Sequence, residues 1–254
     1  FKILKASVAD DVKTWKDIWS QLPAERRDVY FLPEYLVAYE CESRGEALCA
    51  VAIQESSIFM YPFLRSKIHL LDDAASETNF HDIQSAYGYG GPVVNESGES
   101  KGFLSLVWKQ FSDWSTKNKI VSEFCRFQPL LSNHVWADDR MEVFKNRDTV
   151  AMDLREYPSA VWDSSYFRNH RAMIRKSTRE GFTFHVEDFS EQLTWFARKY
   201  NETQKQLNAK PETFFSEAYF KAMLSLGKYA WLGVVKKSDA PLTAVLVIEG
   251  DTFA

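Results

Sequence analysis

Two short segments of this chain carry residue types that bind ligands. The first is Tyr87-Gly-Tyr-Gly-Gly-Pro92. Glycines admit positive φ and let a ligand approach the backbone closely. The interleaved tyrosines offer flat faces and hydroxyls to a sugar, a peptide or a nucleotide. Tyr87, Gly88, Tyr89, Gly90 and Gly91 therefore read as one wall of an acceptor pocket, or else as a tight bend with packed aromatics. The second segment, 166–180, sets Arg168, Arg171, Arg175, Lys176 and Arg179 against the single Glu180. Arg171, Arg175 and Arg179 share a helix face, where like charges repel by a few tenths of a kcal/mol (~0.2–0.5) per pair. A bound anion offsets that repulsion, and the planar guanidinium fork suits phosphate. The alternative is a solvated face paired with acids from elsewhere.

Other candidates are weaker. His81 and Asp82 precede the glycine cluster; Asp82 could hold an acceptor ammonium or cap a turn. His170 lies beside the arginine stripe, as a base for an amine or as a structural residue. Tyr200, Asn201, Asn208 and Lys210 fall where a helix turns toward a cleft, and Lys210 reads as a phosphate contact or a surface lysine. Histidines 69, 81, 134, 170 and 185 lack HxxxH or HExxH spacing, so no metal site is expected. Cys41, Cys49 and Cys125 lack zinc spacing and read as buried thiols of a reducing compartment. No spacing suggests a Ser-His-Asp or Cys-His nucleophile, and the catalytic residues stay unassigned.

The chain that must position these groups has 254 residues, 45% hydrophobic and 26% charged, enough for a packed core and against disorder. Its net charge of −4 gives no support for a general nucleic-acid binder. No apolar run reaches the ~18 residues of a transmembrane helix. Aromatics reach 15%, while glycine is scarce at 10 residues, against a usual ~7% of a chain. That scarcity sharpens the three glycines at 88, 90 and 91. The chain starts at Phe1 and stops just past a turn signal, so the native protein is expected to continue.

Periodicity predicts a strand at 2–5 and a helix over 11–22, capped by Ser7 or Asp10, with Trp15, Ile18, Trp19 and Leu22 inward. A helix follows over 33–43 behind Pro33, then a hairpin of 47–54 and 58–64. After a polar stretch, 72–85, and the glycine cluster comes a helix over 100–117 whose stripe includes Phe103, Leu106, Val107, Phe111 and Trp114. Strands are expected at 120–127 and within 141–154. The second half predicts one basic helix over 160–180 ending at Gly181, and a strand at 182–186. Next come a helix over 191–207 capped by Ser190, with Leu207 inward, and a helix over 217–226 capped by Ser216. A hairpin of 229–236 and 242–249 and a further strand from Thr252 complete it. Both halves thus share the order β-α-α-β-β-β, which points to two tandem units, 1–150 and 151–254.

That order resembles the opening of the GNAT acyltransferase fold, and a tandem of two such units is similar to the Fem-type family (FemAB/FemX). The resemblance is carried by Asp82-Ile-Gln-Ser-Ala-Tyr-Gly-Tyr-Gly-Gly-Pro92 and by Arg168-Asn-His-Arg-Ala-Met-Ile-Arg-Lys-Ser-Thr-Arg-Glu-Gly181. The second is similar to a basic helix ending in IRKA-x-x-x-G, with Ser177 in place of the alanine. It implies an α/β (α+β) fold of mixed sheets flanked by helices, with the second unit incomplete. It also implies a bacterial transferase of the cytoplasm or of the inner face of the membrane. Such an enzyme moves an activated acyl or aminoacyl group to an amine of a peptidoglycan or other glycan precursor. The donor would be aminoacyl-tRNA or acyl-CoA, with no covalently bound cofactor. The Q/R-x-x-G-x-G/A loop of acyl-CoA users is absent here. Two alternatives therefore stand beside the first reading: an acyl-CoA-dependent N-acetyltransferase acting on a nucleotide sugar or polysaccharide unit, and a non-catalytic binder of a glycan or partner. The pocket is expected between the units, bordered by the glycine cluster and the basic helix.

Overall fold

A computed structural model describes residues 1–68, 79–155 and 158–252. In chain order the elements begin with β1 (Lys2–Lys5), α1 (Ala9–Ser20), α2 (Pro33–Glu40), β2 (Glu46–Gln54) and β3 (Ser57–Lys67). Then come β4 (His81–Gln84), β5 (Val93–Val94), α3 (Lys101–Lys117) and β6 (Ile120–Phe124). They continue with α4 (Pro158–Ser164), α5 (Arg168–Arg179), β7 (Phe182–Glu187) and α6 (Phe189–Gln206). The last are α7 (Glu217–Leu224), β8 (Ala230–Lys237) and β9 (Ala240–Ile248). No described helix is long and apolar enough to cross a membrane.

The molecule is a mixed α/β protein whose chain divides into two compact units. The first holds Phe1–Val143, Leu193–Ala230 and the residues from Ile248 on; the second holds Phe144–Gln192 and Trp231–Val247. The first unit is organised on the β2–β3 hairpin, paired from Glu46↔Arg65 to Gln54↔Ser57, with Glu55 closing the turn at φ +54°. Both strands are apolar on both faces and so need cover on both sides. Phe59, Tyr61 and Phe63 meet Trp108, Phe111 and Trp114 of α3 edge-on or tilted, at 5.2–5.7 Å between centroids. The alternate residues Met60 and Leu64 lie on the opposite face, under α1 and α2. The sheet order is β1-β2-β3-β4-β6, with β5 also on β3. All pairs are antiparallel except β4 with β6, which α3 connects as a parallel crossover. Ser100 caps α3 by accepting from Phe103 N, and Pro33 opens α2, both as the residue types require.

In the second unit β8 lies between β7 and β9. The turn joining β8 to β9 is only Ser238-Asp239, at φ +49° and +65°, the left-handed pair that a two-residue hairpin demands. Gly181 ends α5 at φ +83°.

Several expectations are corrected. No strand forms within 141–154: its apolar side chains stand in solvent, Val150 at 97% exposure, with no partner strand among the described residues to pair them. Local contacts stand there instead: an exposed Lys145–Asp148 ion pair, and Asp153, which accepts from Arg155 N. The single helix over 160–180 is two helices broken at 165–167, where Phe167 is extended. α1 has no side-chain cap, from Ser7 or Asp10; Val8 holds the cap position and Asp11 instead accepts from Lys5 N and Lys2 Nζ. Ser190 is inside α6, and Asp188 before it accepts from Ser190 N. Leu106 and Leu207 face solvent, and Cys41 is exposed while Cys49 is buried. Thr252 starts no strand; its hydroxyl donates to Ala24 O. His69, the part of the polar stretch at 72–78 and residues 253–254 lie outside the described residues.

Candidate functional site

The glycine cluster owes its shape to register. β4 and β5 occupy the same edge of β3, yet Gln84 pairs with Leu64 and Val93 with Met60. Residues 85–92 therefore span what Tyr61–Phe63 span on β3, and the excess chain bulges away from β3, while Ser85 N still donates to Phe124 O and Gly90 bridges to Phe127 beyond the end of β6. Gly88 and Gly91 make the two reversals at φ +99° and +98°. Neither place admits a side chain. A Cβ on Gly88 would sit 2.6 Å from Tyr30 Cε1, and one on Gly91 2.7 Å from Asn133 Nδ2 and 2.8 Å from Phe127 Cδ1.

The excursion is pinned from three sides. Tyr35 OH donates to Tyr87 O at 2.6 Å, Gly90 N donates to Arg126 O at 2.7 Å, and Asn133 Nδ2 donates to Gly90 O and Pro92 O at 2.8 and 3.0 Å. Asn133 is fully buried and its Oδ1 accepts from Gln128 N at 2.8 Å. Gln128 in turn donates to Asp28 Oδ2 at 2.6 Å, and Tyr30 N donates to Asp28 Oδ1. Burial raises the Asp28 carboxyl above its ordinary range, and these two donors counter only part of that. Each link satisfies a polar group that would otherwise be buried unpaired.

Beside the excursion lies a chain of tyrosine hydroxyls whose sense is fixed. Because Tyr35 donates its one proton to Tyr87 O, its 3.2 Å bond with Tyr39 must run from Tyr39, and the 3.2 Å bond of Tyr39 with Tyr219 must run from Tyr219. Burial, first among the causes, pushes all three hydroxyls above the ordinary tyrosine value. They act as neutral donors and acceptors, not as bases. Tyr30 stands edge-on to both Tyr35 and Tyr89, and Arg44 lies over Phe215 and Tyr39 at 5.1 and 5.8 Å. Tyr87, 64% exposed, carries the outer face. The N–H of Gly88 has no partner among the described residues, which leaves a backbone donor at the tip.

Asp82 sits within β4, opposite Ser66, so it caps no turn. Its Oδ1 and the neighbouring His81 Nδ1 are shielded from solvent with no hydrogen-bond partner among the described residues. Successive strand residues point to opposite faces, so these two do not form a pair.

The basic residues belong to the second unit and are not equivalent. Arg171 Nη1 donates to Trp162 O and Asp163 O at 3.1 and 2.9 Å, closing the C-terminus of α4. Arg175 lies 5.7 Å from the Trp162 ring centre, and Lys176 is 3.8 Å from Glu180. Arg168 and Arg179 stand exposed, as does His170, whose ring meets Phe167. Tyr200, Asn201 and Asn208 act as scaffolding, while the Lys210 side chain is exposed. Tyr200 OH donates to Thr213 O, Asn201 exchanges two hydrogen bonds with the Phe215 backbone, and Asn208 ends α6 at φ +49°. Lys210 O accepts from Thr213.

Two groups escaped the sequence reading. One is Tyr61–Glu123–Cys125 on the α3 face: Tyr61 OH donates to Glu123 Oε1 at 2.5 Å, and burial raises the Glu123 carboxyl and the Cys125 thiol. Alternation along β6 could have put Glu123 and Cys125 on one face. The other is Arg126, whose guanidinium lies over the rings of Tyr87 and Phe124. Among the described residues no group of three or more His, Cys, Asp or Glu side chains converges as a metal site would. Compared with known proteins, the chain matches no family model and no curated relative.

Proposed function

We propose that this chain is an N-acyltransferase of the kind its Fem-like motifs imply, binding the acceptor amine against the Tyr87–Pro92 excursion. The observation that carries the reading is the excursion itself. A glycine-scarce chain bulges away from β3 there, leaves Tyr87 exposed with Gly88 and Tyr89 half-buried, and fixes the backbone with buried partners. In the reaction the amine nitrogen attacks the carbonyl carbon of an ester or thioester. The C–N bond forms, the C–O or C–S bond breaks, and the amine proton leaves with the alkoxide or thiolate. Positioning supplies much of such catalysis, and a fixed N–H such as that of Gly88 suits the developing oxyanion. The exposed cations of α5 supply phosphate contacts for a charged tRNA, a nucleotide-linked precursor or coenzyme A.

A second reading, a glycan binder without catalysis, draws on the exposed ring of Tyr87, a platform for a sugar. One experiment separates the two. Purified protein is incubated with charged tRNA or an acyl-CoA panel and an amine-bearing glycan precursor, and products are read by mass spectrometry. A new amide supports transfer, and the donor that gives it decides between tRNA and acyl-CoA. Binding of the precursor with no amide from any donor replaces the first reading by the second.

A further inference from the structure

We propose that Arg126, held against the rings of Tyr87 and Phe124, is a binding site for a ligand bearing a carboxylate or a phosphate. The guanidinium carbon lies 5.6 Å from the Tyr87 ring centre and 5.1 Å from that of Phe124. Cation–π attraction of this kind orders an arginine without using its N–H donors. Those donors stay uncommitted, since Arg126 forms no ion pair with any described carboxylate and no side-chain hydrogen bond among the described residues. The side chain is exposed. Both rings are largely exposed, Tyr87 at 64% and Phe124 at 55%, an unfavourable state for two neighbouring large aromatics.

The base of the side chain is rigid. Arg126 N donates to Ser85 Oγ at 3.1 Å, and Arg126 O accepts from Gly90 N at 2.7 Å. These two bonds fix Arg126 where the parallel strands β4 and β6 end and the excursion begins. The carboxyl ends of adjacent parallel strands commonly form ligand crevices. Gln84, exposed and opposite Phe124 in the sheet, adds an amide on the same face. A fixed fork with free N–H groups, two flat rings and an amide together fit an anionic group carried on a sugar or a similar flat body. This site does not depend on acyl transfer, so it stands or falls apart from the reading above.

The test is calorimetric titration at low salt with glucuronate, glucose 6-phosphate and neutral glucose. Wild-type protein should bind at least one of the two anions and not glucose, and the anion bound identifies carboxylate or phosphate. Arg126→Gln should weaken that binding roughly tenfold or more, the worth of a charge-assisted pair. Arg126→Lys should recover only part, because the charge returns without the fork. Thermal melts should leave both variants as stable as the wild type, since the side chain is exposed. Wild-type protein that binds neither anion, or Arg126→Gln protein that binds as the wild type does, overturns the proposal.

Discussion

In the Tyr87–Pro92 excursion the backbone is tied by Tyr35, Arg126 and Asn133, whereas along α5 Arg168, Arg175 and Arg179 stand in solvent without hydrogen-bond partners among the described residues. Both segments carry residues that suggest a ligand, but they would bind by different physics. The excursion is preorganised: its conformational cost is met during folding, by buried hydrogen bonds to distant residues. The helix presents long, mobile side chains, whose ordering must be offset at the moment of binding and whose attraction is screened by salt. Shape selectivity would belong to the first and nonspecific attraction of phosphate to the second.

The contrast can be broken most forcefully at Gly91. Gly91→Ala places a Cβ against Asn133 and Phe127 at a left-handed φ, and should cost about 2–4 kcal/mol in denaturant melts. Gly102→Ala in α3, where nothing lies within 4 Å, should be neutral or stabilising by up to ~1 kcal/mol. Equal effects at the two sites would mean that the excursion is not conformationally constrained. Asn133→Ala removes the donor to Gly90 O and Pro92 O and should cost about 1–3 kcal/mol, with faster amide exchange confined to the excursion.

How much of this was legible in the sequence depends on where the determinants lie. The β2–β3 hairpin, α3 and the cap Ser216 are local patterns, and each stands within a few residues of its expected place. The glycine cluster announced itself by type and spacing. Its architecture did not, because the offset between β4 and β5 along β3 is a matter of pairing, not of composition. Asp28, Gln128 and Asn133 support it from far away in the chain, so no window could join them. The strand expected within 141–154 failed for the converse reason: an apolar run becomes a strand only when a partner edge is offered. Arg171 looked interchangeable with its neighbours on the arginine stripe until the break at 165–167 gave it two carbonyls to cap.

Tyr35→Phe should be milder. It deletes the 2.6 Å bond to Tyr87 O and the acceptor of the Tyr39 hydroxyl, whose proton is then free to turn to Tyr219, a loss of about 0.5–1.5 kcal/mol, with exchange rising at the excursion and not at β2. Asp28 adds a dependence on pH. Its carboxyl is raised in the folded protein, so its protonated form favours folding. Stability should therefore fall as pH rises from the ordinary aspartate value through the raised folded one, and be level above it. Asp28→Asn should remove that slope from a series of melts at different pH; an unchanged slope would assign it to other groups, Glu123 among them.

The smallest stability effects belong to α5. Arg175→Ala with Arg179→Ala should change stability by no more than ~0.5 kcal/mol, yet weaken binding of a phosphorylated ligand in a salt-dependent way. Arg171→Ala should cost about 1 kcal/mol through the lost cap of α4, with less effect on the ligand. If Arg171 dominated binding and the other two did nothing, the division between scaffold and solvent-facing cations on this helix would be wrong.

The role proposed for the excursion is the acceptor wall of an N-acyltransferase. Its most direct test is product formation by the wild type, Gly88→Ala and Gly102→Ala, each confirmed as folded, with charged tRNA or acyl-CoA as donor and an amine-bearing glycan precursor as acceptor. An amide product is expected with the wild type and Gly102→Ala, and its loss with Gly88→Ala, whose Cβ would meet Tyr30 at 2.6 Å. An amide formed equally by all three, or by none of them with any donor, would contradict it.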